Sequence, residues 1–148
     1  MNKNKILVSA CLAGVKCRYN GKDAFNEKIL ELMRESEIIC VCPELLAGQP
    51  VPRCACNIHG GDGGSVINGT AKVIGADGKD YTQSYLNGAQ KALEIAIENN
   101  VTCAYLKSKS PTCGYGKIYD QTGQNLVIGN GIFAALLIKN GIQVISLD

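Results

Sequence analysis

Apolar runs bounded by turn-forming residues divide this chain into alternating strand-like and helix-like segments. Residues 5–10 are almost continuously apolar, as in a strand buried on both faces. Asn26 then stands as an N-cap before residues 27–35, where Ile29, Leu30, Leu32 and Met33 supply the apolar face of a first helix. Residues 37–41, rich in isoleucine and valine, form a second strand that Pro43 stops. Residues 47–64, interrupted by glycines and by Pro50 and Pro52, predict a loop covering a site. An Asp77-Gly78 pair inside residues 71–81 predicts a β-hairpin at the edge of the domain. From Thr82 to Asn99-Asn100, Tyr85, Leu86, Ala89, Ala92, Leu93, Ala96 and Ile97 recur at helical spacing. Residues 101–107 read as a third strand, 132–139 as a helix closed by Asn140-Gly141, and 142–147 as a last strand. This order predicts an α/β fold: a single three-layer domain over residues 1–148, with a mostly parallel, Rossmann-like sheet and an inserted β-hairpin.

A chain of 148 residues buries enough surface to hold one core without staples, so its eight cysteines are not needed as crosslinks. No signal-peptide pattern precedes the first strand, and no apolar run has the length of a membrane span. The expected location is cytoplasmic, where thiols stay reduced and an unpaired cysteine points to metal binding or catalysis. With 15 basic and 13 acidic residues, the net charge of +2 gives no basic stripe, so the expected partner is a small molecule rather than extended nucleic acid or a membrane. Nothing in the sequence sets the oligomeric state.

Cys11, Cys42 and Cys113 each sit where a strand-like run gives way to a turn, with Gly14, Gly48 and Gly114 close behind. If those runs are neighbouring parallel strands, the three thiols converge on one crevice and could hold a metal. Their spacing matches neither zinc ribbons nor ferredoxins, and each could equally be a small buried hydrophobe. Glu44, two residues beyond Cys42, is the candidate general acid or base, or else a helix cap. Ser110 could hydrogen-bond a substrate or water, or only start a turn. Arg18, Arg53, Lys107 and Lys109 are cations that could contact an anionic group, or else solvated surface charges. Cys17, Cys40 and Cys103 read as core or near-surface thiols, and only one of Cys40 and Cys42 is expected to face the site. His59 is expected in a mobile loop, and residues 60–64 in a flexible cover, since they lack the lysine of a phosphate loop.

Val8-Ser-Ala-Cys11-Leu12, Arg18-Tyr19-Asn20-Gly21, Cys42-Pro43-Glu44, Pro52-Arg53, Leu106-Lys107, Ser110-Pro-Thr-Cys113-Gly114 and Gly129-Asn-Gly131 together resemble the DUF523 family, which includes the thiouracil desulfidases. The resemblance runs from Lys5 to the last strand. It implies a [4Fe-4S] cluster held by only three cysteines, carried onto Cys11, Cys42 and Cys113, and removal of sulfur from a thiolated uracil, as base or nucleotide. Three thiolates on a four-iron cube leave one iron open, a soft Lewis acid for a thiocarbonyl sulfur. Sulfur would leave onto that iron without net electron transfer, with Glu44 and Ser110 as catalytic residues and Arg53 and Lys107 binding substrate. After Pro52-Arg53 the family usually carries proline and an acidic residue. Here the chain reads Cys54-Ala-Cys56-Asn57, which offers an extra ligand or a redox pair. Two other readings of the thiols are a zinc-binding structural protein and a sulfur-transfer enzyme using Cys54 or Cys113 as nucleophile.

Overall fold

The computed structural model describes residues 4–148. Strand β1 (Asn4–Ser9) runs into a short 3-10 turn, Ala10–Ala13. Helix α1 (Lys28–Glu35) and strand β2 (Ser36–Val41) follow, then the single-turn helix α2 (Pro43–Leu46). An insertion supplies β3 (Cys56–His59), α3 (Gly63–Ile67) and β4 (Lys72–Gly75). Next come the long helix α4 (Thr82–Glu98), strand β5 (Cys103–Lys107) and the short strands β6 (Lys117–Tyr119) and β7 (Leu126–Ile128). Helix α5 (Ile132–Lys139) and strand β8 (Gln143–Leu147) complete the chain.

Four strands form one parallel sheet in the order β2-β1-β5-β8. On one face Leu7, Val41, Ala104, Leu106 and Val144 pack against Ala89, Ala92, Ala96, Phe133 and Leu137 of α4 and α5. On the other, Ile6 and Val8 pack against Leu12, Cys17 and Ile29. These are the three layers expected from the alternation of strands and helices. Each fully buried Leu, Ile or Phe contributes about 1.5–3 kcal/mol of transfer free energy. The sequence-placed ends hold: Asn26 Oδ1 accepts the Lys28 N–H at 2.9 Å at the start of α1, and the Gly141 N–H, at φ +77°, closes α5 on the Ile138 carbonyl. Among the described residues no helix is long and apolar enough to cross a membrane.

Several expectations are corrected. Residues 47–64 are not structureless: Cys56–His59 is a strand, which takes His59 out of a loop, and Asp62 caps α3 by accepting the Ser65 N–H at 3.1 Å. The Asp77-Gly78 turn does fold this segment back on itself, the Gly75 N–H donating to the Lys79 carbonyl at 2.9 Å and the Tyr81 N–H to the Val73 carbonyl at 2.8 Å around the Ile74↔Asp80 bridge. The longer antiparallel ladder of β4 is nevertheless the one with β3, in the register Cys56↔Gly75 to His59↔Lys72, which buries Ile58 and Val73 in the core. Of the predicted α1 face only Ile29 is buried, with Leu30 49% and Met33 53% exposed. Ile97 of α4 also faces solvent. The β6/β7 pair lacks a long apolar run and was not anticipated.

Helix α4 approaches α2 so closely that a methyl group on Gly88 would lie 2.0 Å from the Pro43 carbonyl oxygen. We predict that Gly88→Ala lowers stability by about 1–3 kcal/mol, read from the urea midpoint of the metal-free protein, because backbone cannot yield as a flexible side chain does. An unchanged midpoint would refute that packing.

Candidate active site

Parallel strands carry the chain to a common edge, and in this sheet the carboxyl ends of β1, β2 and β5 are neighbours. Ser9 pairs with Val41, and the Lys107 N–H donates to Ser9 Oγ at 3.0 Å. Strand β2 lies to one side of β1 and β5 to the other, so the order switches at β1, where α/β sheets open a crevice. A cavity of about 530 Å³ occupies it. That volume falls within the range of small-molecule sites.

All seven residues singled out from the sequence line this cavity: Cys11, Cys42, Cys113, Glu44, Ser110, Arg53 and Lys107. Cys11 projects from the 3-10 turn after β1, and Cys42 is the residue before α2. Cys113 lies in a turn clamped onto the start of α5: the Ile132 and Phe133 N–H groups donate to the Pro111 and Thr112 carbonyls at 2.9 Å each. Residues two apart on a regular strand share a face, yet Cys40 is exposed while Cys42 reaches the cavity, because β2 ends at Val41 and the chain turns.

Glu44 makes no cap hydrogen bond at α2. Its carboxylate instead accepts the Thr112 hydroxyl on Oε1 at 2.5 Å and the Cys42 thiol on Oε2 at 3.4 Å. Ser110 Oγ accepts the Cys113 N–H at 2.8 Å, so it does secure a turn, while its own O–H remains able to donate. Arg18, Arg53, Lys107 and Lys109 line the cavity with Glu44 as the one carboxylate among them. Arg53 Nε is buried without a hydrogen-bond partner. Burial first, then the Arg18 charge, holds the Lys107 ammonium below its ordinary range. The site is therefore short of negative charge, which suits an anionic metal–thiolate group and an anionic or electron-rich ligand.

Two of the three thiols, Cys42 and Cys113, are held above their ordinary range. Burial and then the Glu44 charge push Cys113 up, and for Cys42 the leading cause is its hydrogen bond with Cys17. Such thiols are poor nucleophiles, which counts against Cys113 as an attacking group. Cys54 does not line the cavity; its sulfur accepts the Asp77 N–H at 3.3 Å. Cys56 lies in the wall beside Tyr85. Among the described residues no three His, Cys, Asp or Glu side chains are gathered to grip one metal ion.

Residues 6–148 match the family described as 2-thiouracil desulfurase. The chain belongs to that family. It is 48% identical over 142 residues to the uncharacterized protein YbbK of Bacillus subtilis (strain 168), covering 95% of this chain and 94% of that one. Its fold matches the solved structure of the [4Fe-4S]-dependent thiouracil desulfidase TudS with a TM-score of 0.84 at 34% identity, covering 97% of this chain and 91% of the other. The findings support a desulfurase-family enzyme, with the α/β fold expected from the sequence.

Sequence reasoning missed several cavity residues. Cys17, 2% exposed, was read as a core thiol but also lines the crevice. Tyr119, Thr122 and Gly123 come from the β6/β7 pair, which packs on Asn57 and supplies the wall assigned to residues 60–64. Those glycines serve close packing instead: a methyl group on Gly63 would lie 2.3 Å from the Gly131 carbonyl carbon.

The Cys17 thiol has a pH consequence. A hydrogen bond with Cys11, opposed by one with Cys42, and then burial push it up from 9.0 to about 11. The folded chain thus retains a proton that the unfolded chain releases, and stability falls as pH rises between those values. The metal-free protein is predicted to keep a constant urea midpoint below about pH 8.5 and to lose stability from about pH 9 to about pH 11, less steeply in Cys17→Ser. Equal slopes for the two proteins would refute the assignment.

Proposed function

We propose that this chain is a desulfidase that hydrolyses the C=S bond of a thiolated uracil, releasing the oxo base and hydrosulfide without net electron transfer. Cys11, Cys42 and Cys113 are the residues that would hold its [4Fe-4S] cluster. One observation carries the reading: three cysteines from distant segments line one crevice at the carboxyl ends of β1, β2 and β5, beside a carboxylate and four cations. Family membership and the likeness to TudS support it.

When bound through three thiolates, the cluster supplies one iron with a free position, a soft Lewis acid for sulfur. The protein supplies the rest. Glu44, with one oxygen fixed by Thr112, takes a proton from the attacking water and returns it as sulfur leaves. The Ser110 hydroxyl donates a hydrogen bond to the substrate or to that water. Arg53 and Lys107, backed by Arg18 and Lys109, hold the electron-rich ring or an anionic substituent.

Anaerobically isolated protein is expected to contain iron and sulfide and to release sulfide from 4-thiouracil, with colour and activity lost together in air. Cys11→Ser, Cys42→Ser and Cys113→Ser should each lose iron, whereas Cys40→Ser should not. Zinc in place of iron, or full activity in iron-free protein, would overturn the reading. Lys107→Met is expected to raise KM by about 10-fold or more, the weight of a charge-assisted hydrogen bond, with little change in kcat. An unchanged KM would remove Lys107 from substrate binding.

A further inference from the structure

Thr112 is a buried polar residue, 1% exposed, standing between Ser110 and Cys113. Its carbonyl accepts the Phe133 N–H at 2.9 Å, and a methyl group on Gly131 would lie 2.5 Å from that carbonyl, so its backbone is fixed against α5. Its hydroxyl points across the crevice to Oε1 of Glu44, on a segment 68 residues away in sequence. Among the described residues that hydroxyl makes no other hydrogen bond.

The second oxygen of Glu44 behaves differently. In the metal-free fold Oε2 accepts the Cys42 thiol. A cysteine that holds iron does so as thiolate and has no proton to give. Metal binding therefore removes the donor on Oε2 and leaves the donor on Oε1 untouched, because Thr112 is not a ligand. The carboxylate is then held by one atom and free at the other. Without Thr112 it would have neither donor, and the Cys42 sulfur beside it would repel it.

We propose that Thr112 is a positioning residue: its hydroxyl clamps Oε1 of Glu44 so that Oε2 alone faces the crevice and handles the proton. The inference rests on the reading of Glu44 as the group that exchanges protons with water and leaving sulfur. It assigns the clamp to the protein itself, present before any cluster is inserted.

The test compares wild type with Thr112→Val, Thr112→Ser and Glu44→Ala. Anaerobically reconstituted protein is assayed for iron, sulfide, and kcat and KM with 4-thiouracil. Metal-free protein, including the Thr112→Val/Glu44→Ala double variant, is unfolded in urea. We expect wild-type iron content throughout and a kcat lowered roughly tenfold in Thr112→Val, the scale of a small misplacement of a reacting group, with KM within about twofold. Thr112→Ser should restore most of kcat. In metal-free protein the two single substitutions should shift the urea midpoint non-additively, as residues sharing a hydrogen bond do. Additive shifts, an unchanged kcat in Thr112→Val, an equal loss in Thr112→Ser, or loss of iron in Thr112→Val would each overturn the proposal. Full activity in Glu44→Ala would overturn the role of Glu44 and the clamp's catalytic purpose together. The urea cycle would still separately report whether the hydrogen bond exists.

Discussion

Parallel strands all deliver their carboxyl ends to one edge of a sheet, and the chemistry of this molecule depends on that constraint. Strands β1 and β2 terminate as a pair at Ser9 and Val41, and the Ser9 hydroxyl ties the end of β5 to them through the Lys107 N–H. Cys11 and Cys42 follow within two residues of those ends, and the segment leaving β5 brings Ser110 to Cys113 back over the same crevice. A shift in which strand neighbours which would scatter the thiols.

Lining one crevice with thiols has an electrostatic cost that the surroundings offset. A buried thiol resists ionisation, and Cys42 and Cys113 are both held protonated by their environment in the metal-free fold. Under the proposed role, holding iron would draw off those protons and couple occupancy of the site to pH. The excess of arginine and lysine over carboxylate around the cavity favours the ionised form once a metal is present. Glu44 is tolerated among the thiols because Thr112 gives its carboxylate a donor.

The insertion and the β6/β7 pair do work that the central sheet cannot. A four-stranded sheet offers an edge but no walls. Arg53, Ala55, Cys56 and Asn57 close one side of the cavity, and Tyr119, Thr122 and Gly123 another. Close packing of Gly63 and Gly131 joins the insertion to the start of α5, against which the Cys113 turn is also clamped.

Much of this was legible in the chain itself. The parallel strands, the long α4, the caps at Asn26 and Asn140-Gly141, and the position of cysteines at strand ends all follow from local pattern, because burial on one face or both leaves a periodic trace. Glu44, Ser110, Arg53 and Lys107, singled out by the motifs that carry them, line one crevice. Local pattern could not show that Cys56–His59 pairs with Lys72–Gly75, nor that Leu30 and Met33 stay exposed, since both depend on which surfaces meet. It gave no sign that Cys17 enters the crevice or that Thr112 reaches Glu44. Sequence fixes what each residue can donate, accept or bury, but contacts between distant segments exist only once the sheet order and the packing of α5 have brought them within bonding distance.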